Sequence, residues 1–195
     1  MWALVTDGSI TKIINQPKPL VIGDTQYSRN IFSFRWTNEE REAIGLYEVV
    51  FDNTNKKDEA YYINTNQTFA FADGAVTASF GSPTAKALDD VTDEEGRVTS
   101  GLKTQHKERI KQQASSELAN TDWYITRKAD AGTAVPSAVT THRAAVRTKS
   151  GEMETAIDNA VNVDALAALY QYVNTGTEEN PVMERPLGEF PVLEI

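Results

Sequence analysis

Thr121-Asp122-Trp123-Tyr124-Ile125-Thr126-Arg127-Lys128, followed by Ala134-Val135-Pro136 and then by Arg143 and Arg147, is the stretch on which the reading of the chain turns. One helical pattern arrives at it from the N-terminal side and a second leaves from Pro136. Thr121 or Asp122 can cap a helix start, because a side-chain oxygen accepts an orphan backbone N–H of the first turn. Pro136 suits the first position of the next helix, where no N–H is needed. The spacing therefore predicts a helix–corner–helix with Trp123 at the corner. Buried aromatics usually dominate packing, so Trp123 and Tyr124 can serve simply to hold two helices together. The other reading is a docking face for a partner, made by Trp123, Tyr124, Arg127, Arg143 and Arg147.

The chain from residue 102 to about residue 175 reads as helices. Leu102, Ile110, Ala114 and Leu118 share one face at spacings of four and eight, with Lys, Arg, Gln and Glu elsewhere. After the corner, Val139, Val146, Met153, Ile157 and Ala160 follow a looser helical period, which Gly151 is expected to interrupt. Asn162 is placed to cap a last helix carrying Leu166, Leu169, Tyr170 and Val173. Pro181, Pro186 and Pro191 then space out an extended tail whose apolar residues can dock.

The first half alternates and turns like a β-domain. Trp2–Val5 and Ile10–Ile14 flank Asp7-Gly8, a short-hairpin signal because glycine tolerates positive φ. Leu20–Ile22 and Thr25–Tyr27 flank Gly23-Asp24, and Thr68–Phe71 and Val76–Phe80 flank Asp73-Gly74. Thr37 with Glu40 three residues on is a capping-box pattern, which predicts a short helix to Ile44 that stops at Gly45. Leu46–Phe51 and Tyr61–Ile63 complete the strands. Between the halves, Asp89, Asp90, Asp93, Glu94 and Glu95 form an acidic run with few large apolar residues, the composition of a solvated linker. The fold class expected is α+β: a β-rich domain over 1–83, an acidic linker over 84–101, a helical domain over 102–175 and an extended tail over 176–195.

Charge and composition narrow the function. The chain has 195 residues, 28 of them acidic and 19 basic, and a formal charge of −9. That balance argues against general binding to nucleic acid or anionic membrane. No apolar run approaches the about 20 residues that span a bilayer, and a cytosolic product is expected. There is no cysteine and there are two histidines, His106 and His142, which removes disulfides and most thiol and zinc chemistries. Both histidines are expected on exposed helix surface. No nucleophile-elbow, phosphate-loop or dinucleotide motif occurs. The acidic run does not have the spacing of an EF-hand loop. The expectation is a non-enzymatic protein with no cofactor and no metal.

The residues also resemble a family. Tyr27-Ser28-Arg29-Asn30-Ile31-Phe32, Trp36-Thr37-Asn38-Glu39-Glu40 with Ile44-Gly45-Leu46-Tyr47, and the Thr121–Arg147 stretch are similar to tail-fibre assembly proteins, or tail assembly chaperones, of bacteriophages. The shared features are an Asp-Trp-Tyr-x-x-Arg-Lys-type motif, here Asp122, Trp123, Tyr124, Arg127 and Lys128, and a Val-Pro-x-x-Val-x-x-x-Arg-x-x-x-Arg-type helix, here Val135, Pro136, Val139, Arg143 and Arg147. The resemblance implies a protein that binds a trimeric tail-fibre protein during assembly in the host cytoplasm, typically near the fibre's C-terminal tip. A structural tail or fibre component retained in the mature virion is the alternative, and self-association is open in either. A carbohydrate-binding β-module is a third class, because Tyr61, Tyr62, Phe69 and Phe71 can make a stacking platform. Their alternation also supplies a sheet core.

Overall fold

A turn with two consecutive positive φ angles matches the right-handed twist of the strands it joins, so Asp-Gly pairs close two hairpins here. Asp7 and Gly8 have φ of 51° and 72°, and Asp73 and Gly74 have 51° and 75°. The computed structural model, which describes residues 1–194, divides the chain into two units, Met1–Thr84 and Ala85–Ile195. Ile195, the last residue of the expected tail, lies outside the described residues. The protein is α+β.

In the first unit, β1 (Trp2–Thr6), β2 (Ser9–Ile14), β5 (Leu46–Asp52), β7 (Gln67–Ala72) and β8 (Ala75–Phe80) form one five-stranded sheet, ordered β2-β1-β5-β8-β7. β3 (Leu20–Ile22) and β4 (Thr25–Tyr27) make a separate hairpin. A 3-10 turn (Arg29–Phe32) and α1 (Asn38–Glu42) follow, and β6 (Tyr62–Ile63) precedes β7. All neighbours in the main sheet are antiparallel except β5 and β8, which run parallel. Successive strand residues face opposite sides, so Ala3, Val5, Val49, Val76 and Ala78 fall together in one core.

Ile10 and Ile13 from one edge strand and Phe69 and Phe71 from the other pack against that same core, so the sheet curls until β2 and β7 approach each other. A bulge opposite Leu4 and Val5 absorbs Thr11 and turns both isoleucines inward. Phe69 and Phe71 are therefore partly buried against the core and Tyr61 is buried, while Tyr62 stays half-exposed.

The outer face is covered by the connection between β2 and β5. Ile14, Leu20, Ile31 and Leu46 make a second core with Trp2, Tyr27, Phe32 and Trp36 around it. Trp2 meets Phe32 edge-on at 4.8 Å. The capping box forms: Glu40 N donates to Thr37 Oγ1 at 3.2 Å and Thr37 N donates to Glu40 Oε2 at 2.8 Å. The helix ends at Glu42, two residues before the expected Ile44, and turns out through Gly45 at φ 76°. A side chain there would drive into the Val5 carbonyl, which sits against Gly45 because Val5 N donates to Gly45 O at 2.8 Å. Arg41 is buried beneath this connection and donates through Nε to Ile31 O at 2.7 Å and through Nη2 to Ser33 O at 2.6 Å.

The second unit contains α2 (Leu102–Ala119), α3 (Asp122–Ala131), α4 (Ser137–Asp158) and α5 (Val163–Ala168). β9 (Thr84–Ala85) falls at the division between the units. The helix α2 buries Leu102, His106, Ile110 and Ala114. Steps of alternately four and three residues along α4 bury Val139, Arg143, Val146, Ser150, Met153 and Ile157. Lys107 pairs with Asp158 at 2.7 Å, Lys111 with Glu154 at 3.4 Å, and Arg143 reaches Leu118, so α2 and α4 run antiparallel. Gly151 does not interrupt α4. It lies on an open face where only helix propensity is lost, about 1 kcal/mol against alanine. Pro136 stands one position earlier than expected, as the N-cap.

Asn162 caps α5 as expected, accepting from Ala165 N at 2.8 Å. That helix stops at Ala168, and Val173 belongs instead to β12 (Val173–Asn174), which pairs with β13 (Met183–Glu184). The tail beyond is pinned, with Leu187 buried and its N–H donating to Leu169 O at 3.0 Å.

The acidic stretch belongs to the second unit. It is exposed along most of its length, but it folds. β10 (Val91–Thr92) and β11 (Val98–Thr99) form a small hairpin whose turn is held by Arg97 donating to Asp93 at 2.7 Å. Asp90 Oδ1 accepts from Gly101 N at 2.8 Å, while Leu102 N and Lys103 N donate to Ala87 O and Leu88 O at 2.9 and 3.0 Å. These bonds satisfy the orphan donors at the start of α2. A Cβ on Gly101 would strike the backbone carbonyls of Asp89 and Leu88. Gly101→Val is therefore expected to open this clip while α2 persists. Amide exchange is the measurement: Leu102 and Lys103 should lose protection and Ile110 should keep it. Unchanged protection at Leu102 contradicts the assignment.

Candidate functional site

The corner between α2 and α3 is built around carbonyls that a helix end leaves unpaired. Leu118 O, in the last turn of α2, accepts from Thr121 N and from Thr121 Oγ1, both at 3.0 Å. It also accepts from Arg143 Nη1 at 2.7 Å. The same nitrogen donates to Thr121 Oγ1 at 2.7 Å and lies 2.8 Å from Asp122 Oδ1. A cation thus sits against the negative end of α2, and a carboxylate opens α3, the arrangement that helix dipoles favour. The Thr121 hydroxyl faces back toward α2, so it does not cap α3. Arg143, expected on a docking face, is only 8 % exposed and braces this corner from within.

Trp123 is not the buried glue of the corner. It is 52 % exposed, and α3 buries none of its residues. Arg143 holds Asp122 on one side of α3, and Trp123, Tyr124 and Arg127 gather within about 100° of each other on another, following the helical period. The two rings lie 3.9 Å apart at 33°. The Arg127 guanidinium carbon stands 4.6 Å from the Trp123 ring and 5.5 Å from the Tyr124 ring, within cation–π range of both. Arg127 Nε is shielded from solvent and has no hydrogen-bond partner. Lys128 is exposed beside it, and Arg147 lies exposed on α4 with Nη1 donating to Arg143 O at 3.3 Å. The structure therefore brings Trp123, Tyr124 and Arg127 into one cluster, removes Arg143 to the interior and leaves Arg147 outside the stack.

A second feature escapes sequence reading. Arg109, Gln112, Gln113, Ser116 and Glu117 form a polar row along α2, and Arg185, Glu189 and Phe190 of the tail face it across a cleft of about 590 Å³. The tail wall is fixed by Arg185 donating to Glu189 at 2.6 Å and by Tyr172 Oη donating to Glu189 Oε1 at 2.7 Å. Only the row on α2 carries a periodic signal. The return of the tail does not.

Both histidines lie inside, against expectation, at 5 % exposure for His106 and 7 % for His142. Their positions complete the core stripes 102-106-110 and 139-142-146, and spacing outweighs side-chain polarity. The His106 ring lies 4.8 Å from that of Tyr170. Burial, with the Arg109 cation nearby, holds the His106 imidazole below its ordinary range. In the fold it takes up its proton at a lower pH than in the unfolded chain, which does so near pH 6.5. Stability from this group is constant above about pH 6.5 and falls as the pH drops through that value. An NMR titration of the imidazole should give an apparent pKa under 6.5, and one above it contradicts the burial argument.

Among the described residues no group of three or more His, Asp or Glu side chains is placed to hold a metal ion, and no helix is long and apolar enough to cross a membrane. Comparison with family models, with curated proteins and with solved structures gives no match.

Proposed function

We propose that the chain is an assembly chaperone for a bacteriophage tail-fibre protein, which it binds without catalysing any reaction, near the fibre's C-terminal tip. The observation that carries the reading is the α3 face. Tryptophan, tyrosine and arginine are the residue types most enriched among interface hot spots. Here Trp123, Tyr124 and Arg127 are stacked together on a helix that buries none of its residues. A rigid aromatic group loses little conformational freedom when a partner covers it, which favours binding. Fibre subunits expose strand edges and apolar surface before they trimerise, and a partner that covers them suppresses aggregation. The motif likeness around Asp122–Arg147 supplies the class of partner.

Co-expression with a candidate tail-fibre partner tests this. The yield of soluble, trimeric fibre should rise several-fold with the chain present. Trimer formed equally well in its absence rejects the reading. Mass spectrometry of purified particles then separates a chaperone that leaves from a component that stays: stoichiometric presence favours the retained structural role.

A further inference from the structure

We infer that the α3 face selects a carboxylate-bearing apolar segment of its protein partner, with Arg127 as the reading residue. This rests on the proposed function for the location of the site but not for its chemistry. The Arg127 guanidinium carbon lies over the Trp123 ring at 4.6 Å and over the Tyr124 ring at 5.5 Å, so the two rings hold the cation by one side. Nε is enclosed. The terminal amino groups are left as the outward edge, a planar pair of donors that matches the two oxygens of a carboxylate.

The charges around it favour the same ligand. Asp122, the acid that opens α3, is already neutralised by Arg143 at 2.8 Å. Lys128 is exposed, and among the described residues no acidic group pairs with it or with Arg127. Asp130, exposed three positions after Arg127, is the one other acid of α3, so with Asp122 neutralised the helix keeps a single net positive charge in a chain of formal charge −9. Nucleic acid would meet repulsion from the rest of the molecule, whereas a short acidic protein segment meets mainly the local field, which salt screens within about 10 Å. The half-exposed Trp123 ring supplies the apolar half of the contact. Beside it the partner needs an apolar side chain next to its acid.

The test uses the full chain and three synthetic peptides, Ac-Glu-Leu-Glu-Phe-NH2, Ac-Gln-Leu-Gln-Phe-NH2 and Ac-Lys-Leu-Lys-Phe-NH2, followed by the Trp123 indole N–H signal in NMR. The acidic peptide should shift that signal, with at least about tenfold tighter binding than the glutamine peptide, as charge-assisted bonds imply. The lysine peptide should not bind. Arg127→Gln should abolish the preference for the acidic peptide, and circular dichroism should show the same helix content because no residue of α3 is fully buried. Equal shifts with all three peptides, or a preference that survives Arg127→Gln, overturn the inference while leaving the fibre reading to its own co-expression test. No shift with any peptide also overturns it.

Discussion

Replacing Arg143 by methionine should lower the stability of the second unit by about 2–4 kcal/mol, because hydrogen bonds to a charged group are worth about 1.5–3 kcal/mol each and act here as one set. Breaking a fully buried ion pair costs about 3–5 kcal/mol. Asp122 is 61 % exposed, so its share is discounted for solvent screening, and most of the loss falls on Leu118 O and Thr121 Oγ1. Methionine keeps the stem and its packing, so the difference reports the charge and its donors. All three acceptors contact Nη1 alone, at 2.7, 2.7 and 2.8 Å. The site needs one multiply donating cation and not a planar fork. Arg143→Lys should therefore recover more than half of the loss. A thermal melt decides it. Methionine and lysine variants equally destabilised would show that the fork matters, and neither destabilised would show that the corner stands without the cation.

That corner marks where sequence reading stops. Hairpins at Asp7-Gly8, Gly23-Asp24 and Asp73-Gly74, the capping box of Thr37 and Glu40, and the cap at Asn162 were all legible, since each is a local agreement between a residue type and a backbone geometry. The parallel pairing of β5 with β8 was not. It joins strands more than twenty residues apart, and no local signal encodes that partnership. Arg143 and the two histidines were misplaced for one reason: side-chain polarity was weighed above position. On α4 the stripe from Val139 to Ile157 is unbroken only when His142, Arg143 and Ser150 are admitted to it. The acidic stretch was read by composition, which describes its exposure well. Composition does not reveal that Asp90 accepts from Gly101 and that backbone carbonyls close the first turn of α2.

The candidate site was legible in its residues and not in its geometry. Trp123 and Tyr124 stand where two helical patterns meet, beside Arg127 and Lys128. Their helix was expected to pack by them, as amphipathic helices pack by their large side chains. The structure leaves the Trp123 ring exposed and Tyr124 half-buried against it, and the Arg143–Asp122 pair holds α3 from another side. Trp123 therefore does not carry the packing role that its size suggests.

Trp123→Ala separates the two roles. If the ring belonged to a core, its loss would cost about 3–5 kcal/mol. With the ring 52 % exposed, the loss is limited to its stacking on Tyr124 and its contact with Arg127, each about 0.5–1 kcal/mol, and alanine restores part of it as the better helix former. The melting temperature should move by a few degrees at most. Binding should respond far more, because a central aromatic hot spot contributes about 2 kcal/mol or more, which is roughly a thirtyfold loss of affinity. If the proposed fibre-binding role holds, the two readouts, a thermal melt and the affinity for the fibre protein, must therefore diverge. Parallel losses in both would return Trp123 to the core. An affinity that survives the substitution would move the contact surface off α3 altogether, and the polar cleft between α2 and the tail would then be the next face to mutate.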